Sequence, residues 1–137
     1  MIVICCVDDR MGMAFNHRRV SSDRVVTEDI VKHVGSTTLW ADEYSAKLFA
    51  GNIPDNFAVD PDALEKAGAA EFVFTERKDP LQYKGRIEKM IVYFWNRNYP
   101  SDVKLSYNEP EWIRTVIAEF PGHSHEKITV EEWLPRD

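Results

Sequence analysis

The sequence predicts an α/β domain: a mixed sheet flanked by helices in three layers and finished by an antiparallel hairpin. Three observations carry this. Ile2 to Val7 and Met90 to Trp95 are continuous apolar runs rich in β-branched and aromatic residues, the pattern of strands buried on both faces. Between them, short apolar runs alternate with capped helical segments, the grammar of a strand–helix–strand sheet. Beyond them, Trp112 to Phe120 and Lys127 to Trp133 alternate with period two about a Pro121-Gly122 turn.

Taken in order, the first strand ends at Asp8-Asp9-Arg10-Met11-Gly12, a turn signal, and a polar loop is expected as far as Arg19. Ser21 or Ser22 is expected to cap a helix whose Val26, Ile30 and Val34 share one face, with Gly35 ending it. Thr37 to Trp40 predicts a short strand, and Asp42 caps a second helix carrying Tyr44, Leu48 and Phe49, closed by Gly51. Phe57 to Val59 is the next strand. Asp60-Pro61 then opens a helix over Asp62 to Ala67, stopped by Gly68. Phe72 to Phe74 predicts a strand, Asp79-Pro80 a short turn or helix, and Val103 to Tyr107 a further alternating segment. No repeat, linker or low-complexity stretch interrupts this pattern, so residues 1–137 are expected to form a single domain.

Composition excludes several functions. The chain is 44% hydrophobic and 29% charged, which is globular rather than disordered. Its formal charge of −6 argues against a general nucleic-acid binder, which needs cations to displace counterions from phosphates. Cys5 and Cys6, the only cysteines, are adjacent in a strand and point to opposite faces, so a mutual disulfide is not expected. Met1 to Val7 is too short for an export signal and no run is long enough to span a membrane; the cytoplasm is the expected compartment.

Residues as well as element order resemble dihydrofolate reductase. In that family the first strand leads into a glycine-containing loop ending in Asn, then a helix bearing an acidic residue. Here Val7 to Asn16, with Gly12, matches the loop, and Asp23 falls within about one residue of the substrate-binding carboxylate. The family's strand–Gly-Arg-x-Thr motif is paralleled by Leu39 to Ser45. Its closing acid, tryptophan and hairpin have parallels in Asp102, Trp112 and Glu132-Trp133. The resemblance implies a dihydrofolate reductase-like mixed sheet over nearly the whole chain.

It also implies where the chain departs. Asp42 and Glu43 stand where the family holds cofactor phosphates with Arg and Thr, and Thr75-Glu76 match the family's Gly-Gly turn. A carboxylate about 4 Å from a phosphate charge is opposed by about 4 kcal/mol at an effective dielectric of about 20, before screening. Arg18-Arg19 replace a Pro-Trp pair. NADPH binding is therefore disfavoured, and the cofactor is left unknown.

Three constellations are candidates for chemistry. Arg10, His17, Arg18, Arg19 and Arg24 form a basic cluster in an acidic chain, able to pair two-pronged with phosphate or carboxylate. It predicts a small anionic ligand or a local RNA-phosphate contact; the alternative is a solvated loop paired with Asp8, Asp9, Asp23 and Glu28. His123 and His125 are candidate metal ligands if they share a strand face. They resemble only the first half of the His-x-His-x-Asp-His motif of a ribonuclease Z-type hydrolase. Asn96, Arg97 and Asp102 follow the strongest strand, with Trp95 and Tyr99 beside them. In the dihydrofolate reductase-like topology, Asp9, Asn16, Asp23, Tyr44 and Arg97 converge on one cleft, and Asp23 is the acid–base candidate.

The leading expectation is a divergent domain binding a small anionic or nucleotide-like ligand, without NADPH-dependent activity. The competing expectations are a residual oxidoreductase, a small RNA-acting metal-dependent hydrolase, and a non-catalytic interaction domain that forms homo-oligomers through its last hairpin or exposed aromatics.

Overall fold

Alternate residues of the first strand feed two different cores. In the computed structural model, which describes residues Met1–Arg136, β1 (Ile2–Val7) sends Val3, Cys5 and Val7 to one face of a seven-stranded sheet and Ile4 to the other. β7 (Lys89–Phe94) does the same with Met90 and Val92 against Ile91 and Tyr93. Both faces are covered, which is why these segments are almost uniformly apolar.

The sheet adds β4 (Thr38–Ala41), β5 (Asn56–Val59), β6 (Phe72–Phe74), β9 (Trp112–Phe120) and β10 (Ile128–Pro135), in the order β5-β4-β6-β1-β7-β10-β9. β5, β4, β6, β1 and β7 are parallel neighbours, joined by crossovers. The last two are antiparallel, with β10 lying between β7 and β9. Glu131 pairs with Val116 whereas Val130 pairs with Ala118, so a bulge interrupts the hairpin. β9 forms the outer edge, with Ile113, Val116 and Ile117 exposed.

α1 (Arg24–Val34) packs Val26, Ile30 and Val34 on the face that also holds Phe49, Phe74 and Trp95. Each such side chain contributes about 1.5–3 kcal/mol on leaving water. Tyr93 of β7 reinforces the docking by donating to Asp29 Oδ2 at 2.6 Å. Burial pushes the Tyr93 phenol up, and the Asp29 carboxylate adds to this, so the hydroxyl remains a donor. On the opposite face lie α3 (Ala63–Lys66), Leu105, Trp112 and Trp133.

Four local expectations needed correction. The cap of α1 is Asp23 and not Ser21 or Ser22, because the Asp23 carboxylate accepts from Val25 N at 2.9 Å. The second helix is one short turn, α2 (Glu43–Ala46), continued as a 3-10 turn over Lys47–Phe49. The polar loop after β1 folds into β2 (Gly12–Phe15) and β3 (Arg18–Arg19), which pair with β8 (Val103–Lys104) as a separate three-stranded sheet. The alternation read from Val103 to Tyr107 is a strand only over its first two residues.

Candidate functional site

The carboxyl ends of β1, β4, β6 and β7 open beside the start of α1, the place where α/β sheets collect ligands. Asp8, the first residue beyond β1, is buried and organises this end. Its Oδ1 accepts from the amides of Arg10 at 2.9 Å and Gly12 at 2.7 Å, and its Oδ2 from Tyr99 N at 2.9 Å. Gly12 is required there, since a Cβ would lie 2.6 Å from Ser101 Oγ and 2.9 Å from Asp8 Oδ1. The result carries the Tyr99 side chain to the start of α1.

There Asp23 gathers donors from two distant parts of the chain. Oδ1 accepts from the amides of Val25 and His123, both at 2.9 Å. Oδ2 accepts from Ser124 N at 2.9 Å and pairs with His125 Nδ1 at 2.8 Å. Burial alone would raise the Asp23 pKa, but these amides and the imidazole outweigh it and hold the carboxyl well below its usual range. The other imidazole nitrogen, Nε2, lies 2.9 Å from Ser21 Oγ and 3.1 Å from the Tyr99 hydroxyl. Tyr99 also donates to Ser21 Oγ at 3.2 Å. Trp95 stacks on the imidazole, with ring centroids 4.7 Å apart.

A second cluster lies beyond β6. The guanidinium of Arg19 grips Glu76 through Nε at 2.7 Å and Nη2 at 3.1 Å, and Ser45 Oγ donates to the same carboxylate at 2.8 Å. Glu76 is buried, and burial pushes its carboxyl up against the downward pull of Arg19 and Ser45. The guanidiniums of Arg19 and Arg77 both lie on the Tyr44 ring, at 4.3 and 4.0 Å from its centroid. Asp42 accepts from Ser45 N at 2.8 Å, so a chain carboxylate already occupies the first turn of α2. The crevice between Asp42 and Thr75 to Lys78 has a volume of only about 10 Å³.

An open cleft of about 340 Å³ lies along α1, bordered by Ser22, Asp23, Arg24, Thr27, Leu48 and Asn52. It adjoins a recess of about 10 Å³ that shares Ser22, Asp23, Thr27 and Leu48 and adds Ser21, Glu76 and Trp95. The indole nitrogen of Trp95 is buried and has no hydrogen-bond partner among the described residues.

Of the residues singled out in the sequence, Asp23 lines this cleft, Arg19 pairs with Glu76, which lines the adjoining recess, and the Tyr44 hydroxyl accepts from Arg19 N at 2.9 Å. Asp9, Asn16, Arg18 and Arg97 are exposed and do not border it. The Asp9 amide donates to Arg97 O at 2.9 Å, Arg97 Nη2 to Ser124 O at 2.9 Å, and the Asn16 amide to Asp102 Oδ2 at 3.0 Å. His123 and His125 do not share a strand face: they sit in the turn before β10, His123 exposed and His125 buried. Among the described residues no group of three or more His, Cys, Asp or Glu is placed to hold a metal ion. Nor is any helix long and apolar enough to cross a membrane.

In the sequence Ser21 is a candidate cap, Trp95 and Tyr99 stand beside Asn96, Arg97 and Asp102 after the strongest strand, Asp8 is part of a turn, and Glu76 is an obstacle to a cofactor. Only Asp8 carried a local signal, an acid four residues before a glycine at the end of a buried strand. Nothing local announced His125 as the partner of Ser21.

No protein-family model and no curated protein sequence matches the chain. Among solved structures it is similar to a dihydrofolate reductase from Enterococcus faecalis, solved with NADP(H) and RAB-propyl. The TM-score is 0.68 at 8% identity, over 99% of this chain and 96% of that one. The order of strands, the helix at Asp23 and the final hairpin thus have one common description: the chain has a dihydrofolate reductase-like fold.

Proposed function

We propose that this chain binds a small anionic or nucleotide-like ligand in the cleft between α1 and the Leu48 to Asn52 segment, and that it does not use NADPH. The observation that carries this reading is the cleft of about 340 Å³ along the first turns of α1, a volume within the range of small-molecule sites. Arg24 at its mouth supplies a counter-charge beside the first turn of α1. Glu28, one turn further along α1, also borders the cleft and favours a ligand of low charge over a polyphosphate.

The residues present do not fit a dinucleotide. The α2 amide that would meet a phosphate donates to Asp42 instead, and Glu76 fills the turn that would have to admit the pyrophosphate. Arg19, the most promising cation of the basic cluster, is already neutralised by Glu76. Charge complementarity therefore moves from the Arg18-Arg19 hairpin, as expected from the sequence, to Arg24.

A thermal-shift screen against nucleotides, pterins, short RNA oligomers, metal ions and NADPH tests the reading, because a ligand that binds only the folded state raises its Tm. A mononucleotide or small carboxylate that raises Tm, with the gain reduced in Arg24→Ala, supports it. A response to NADPH alone overturns it in favour of a residual oxidoreductase. A flat screen favours the interaction domain.

A further inference from the structure

We infer that Ser21, His125 and Asp23 constitute an acyl-transfer triad, with Tyr99 polarising the substrate carbonyl, and that its substrate is a small carboxylic ester. The inference rests on the same cleft as the ligand-binding reading, since Ser21 lines the recess that adjoins it.

The geometry assigns each proton. Asp23 is an ionised acceptor bound by two amides of the turn before β10 and one of α1, so its Oδ2 accepts a hydrogen bond from the protonated His125 Nδ1 at 2.8 Å. The tautomer so selected leaves the lone pair of Nε2 facing Ser21 Oγ at 2.9 Å. Ser21 donates to Nε2, and Tyr99 donates to Ser21 Oγ at 3.2 Å. Trp95, stacked on the imidazole, holds its plane. This is the order serine–histidine–carboxylate recognised by geometry and role rather than by sequence position. It needs no strand-to-helix nucleophile elbow, because Ser21 precedes the helix whose cap orients the histidine.

Accessibility follows the same order. Asp23 and His125 are buried at 5% and 4% exposure, while Ser21 is only half-buried and borders the recess. Trp95, whose buried indole nitrogen has no partner among the described residues, lines the same recess.

In the first step Ser21 Oγ forms a bond to the ester carbonyl carbon while its proton passes to His125 Nε2. The carbonyl electron pair moves to oxygen, which accepts from the Tyr99 hydroxyl. Collapse breaks the bond to the leaving group, and the departing alkoxide takes the proton from Nε2. Water then attacks the acyl–Ser21 ester with His125 again accepting a proton; that proton returns to Ser21 Oγ as the carboxylic acid leaves. Ser21, His125 and Tyr99 are the catalytic residues, and Asp23 is a positioning residue that acts through His125.

The test uses the intact chain, a fluorophosphonate probe read by intact and peptide mass spectrometry, and hydrolysis of p-nitrophenyl acetate. One adduct mapping to Ser21 is expected, absent in Ser21→Ala, with hydrolysis falling at least about 100-fold in that variant. Tyr99→Phe, which keeps the ring, should lower kcat about 10-fold or more with little change in KM. Asp23→Asn should move the pH profile of probe labelling and slow it even where circular dichroism shows a folded chain. A folded wild-type protein that leaves Ser21 unlabelled at saturating probe, or a Ser21→Ala variant that hydrolyses ester at the wild-type rate, overturns the inference. The ligand-binding reading fails separately: a Ser21 adduct with a flat ligand screen leaves the triad standing, whereas ligand binding without an adduct removes the triad alone.

Discussion

Asp23 and His125, 102 residues apart in the chain, meet at 2.8 Å with both side chains almost wholly removed from solvent. The contact ties the first turn of α1 to the turn before β10, and it shares its carboxylate with three backbone amides. Removing the carboxylate therefore strips the helix of its cap and leaves buried donors unpaired.

Asp23→Ala is expected to lower stability by about 2–4 kcal/mol, combining a lost cap with lost hydrogen bonds to a charged group. Ser21→Ala, which touches only Nε2 and the Tyr99 hydroxyl, should cost about 1 kcal/mol or less. Urea unfolding of the two variants beside the parent separates the effects.

The same carboxylate predicts an acid limb. Its folded pKa is held below that of the unfolded chain, so the unfolded state binds the extra proton and stability rises with pH in that window. The contribution is fully present above about pH 4 and is lost as pH falls from there towards pH 2. Asp23→Asn should flatten this part of the stability curve, measured as urea midpoints from pH 5 down to pH 2.

Gly122 is a second point of attack on the site. A Cβ there would lie 2.6 Å from Asp23 Oδ2 and 3.1 Å from His125 O, both held in place by hydrogen bonds. Gly122→Ala should destabilise by about 1–3 kcal/mol through this overpacking. It should also weaken the protection of the His123 and Ser124 amides in hydrogen exchange, whereas Gly35→Ala should leave those amides protected.

Arg19→Ala leaves Glu76 buried without its cation. A broken buried pair costs about 3–5 kcal/mol, less here because Arg19 is partly exposed, and a carboxyl already raised by burial rises further. The sign is opposite to that of Asp23: a raised folded pKa means the folded state keeps the proton, so the penalty grows as pH climbs above the usual glutamate range. Stability of Arg19→Ala relative to the parent should thus be worse at pH 8 than at pH 4, by thermal melts across that range.

Cys5 and Cys6 should be inert in the native protein. Burial pushes both thiols well above their ordinary pKa, so little thiolate exists at pH 8. A thiol reagent should titrate neither cysteine in the folded chain and both in denaturant.

Much of the architecture was legible because it depends on local pattern. The apolar runs at Ile2 to Val7 and Met90 to Trp95 became β1 and β7 within about one residue, and Phe72 to Phe74 became β6 as read. Trp112 to Phe120 and Lys127 to Trp133 became the closing hairpin. The hairpin of β2 and β3 was hidden because its strands are short and their partner, β8, lies about 90 residues downstream, where Gly12 pairs with Lys104. The site was legible only in part. Asp23 was singled out through the family resemblance, as the counterpart of a substrate-binding carboxylate, and it borders the cleft beside α1; Arg19 and Tyr44 are neighbours, but Asp9, Asn16 and Arg97 do not converge with them, because exposed polar loops carry no burial pattern to orient them.

Periodicity, caps and turn residues were therefore enough to specify a mixed sheet with helices on its faces, since hydrophobic alternation states which side of each element meets a core. The pairing of Asp23 with His125, and of Arg19 with Glu76, was decided by the tertiary structure alone. Each unites a side chain near the start of the chain with one at least 57 residues away. A charged group is stabilised by whichever partners the fold brings within hydrogen-bond distance, and that distance is set by strand order and crossovers rather than by neighbours in sequence.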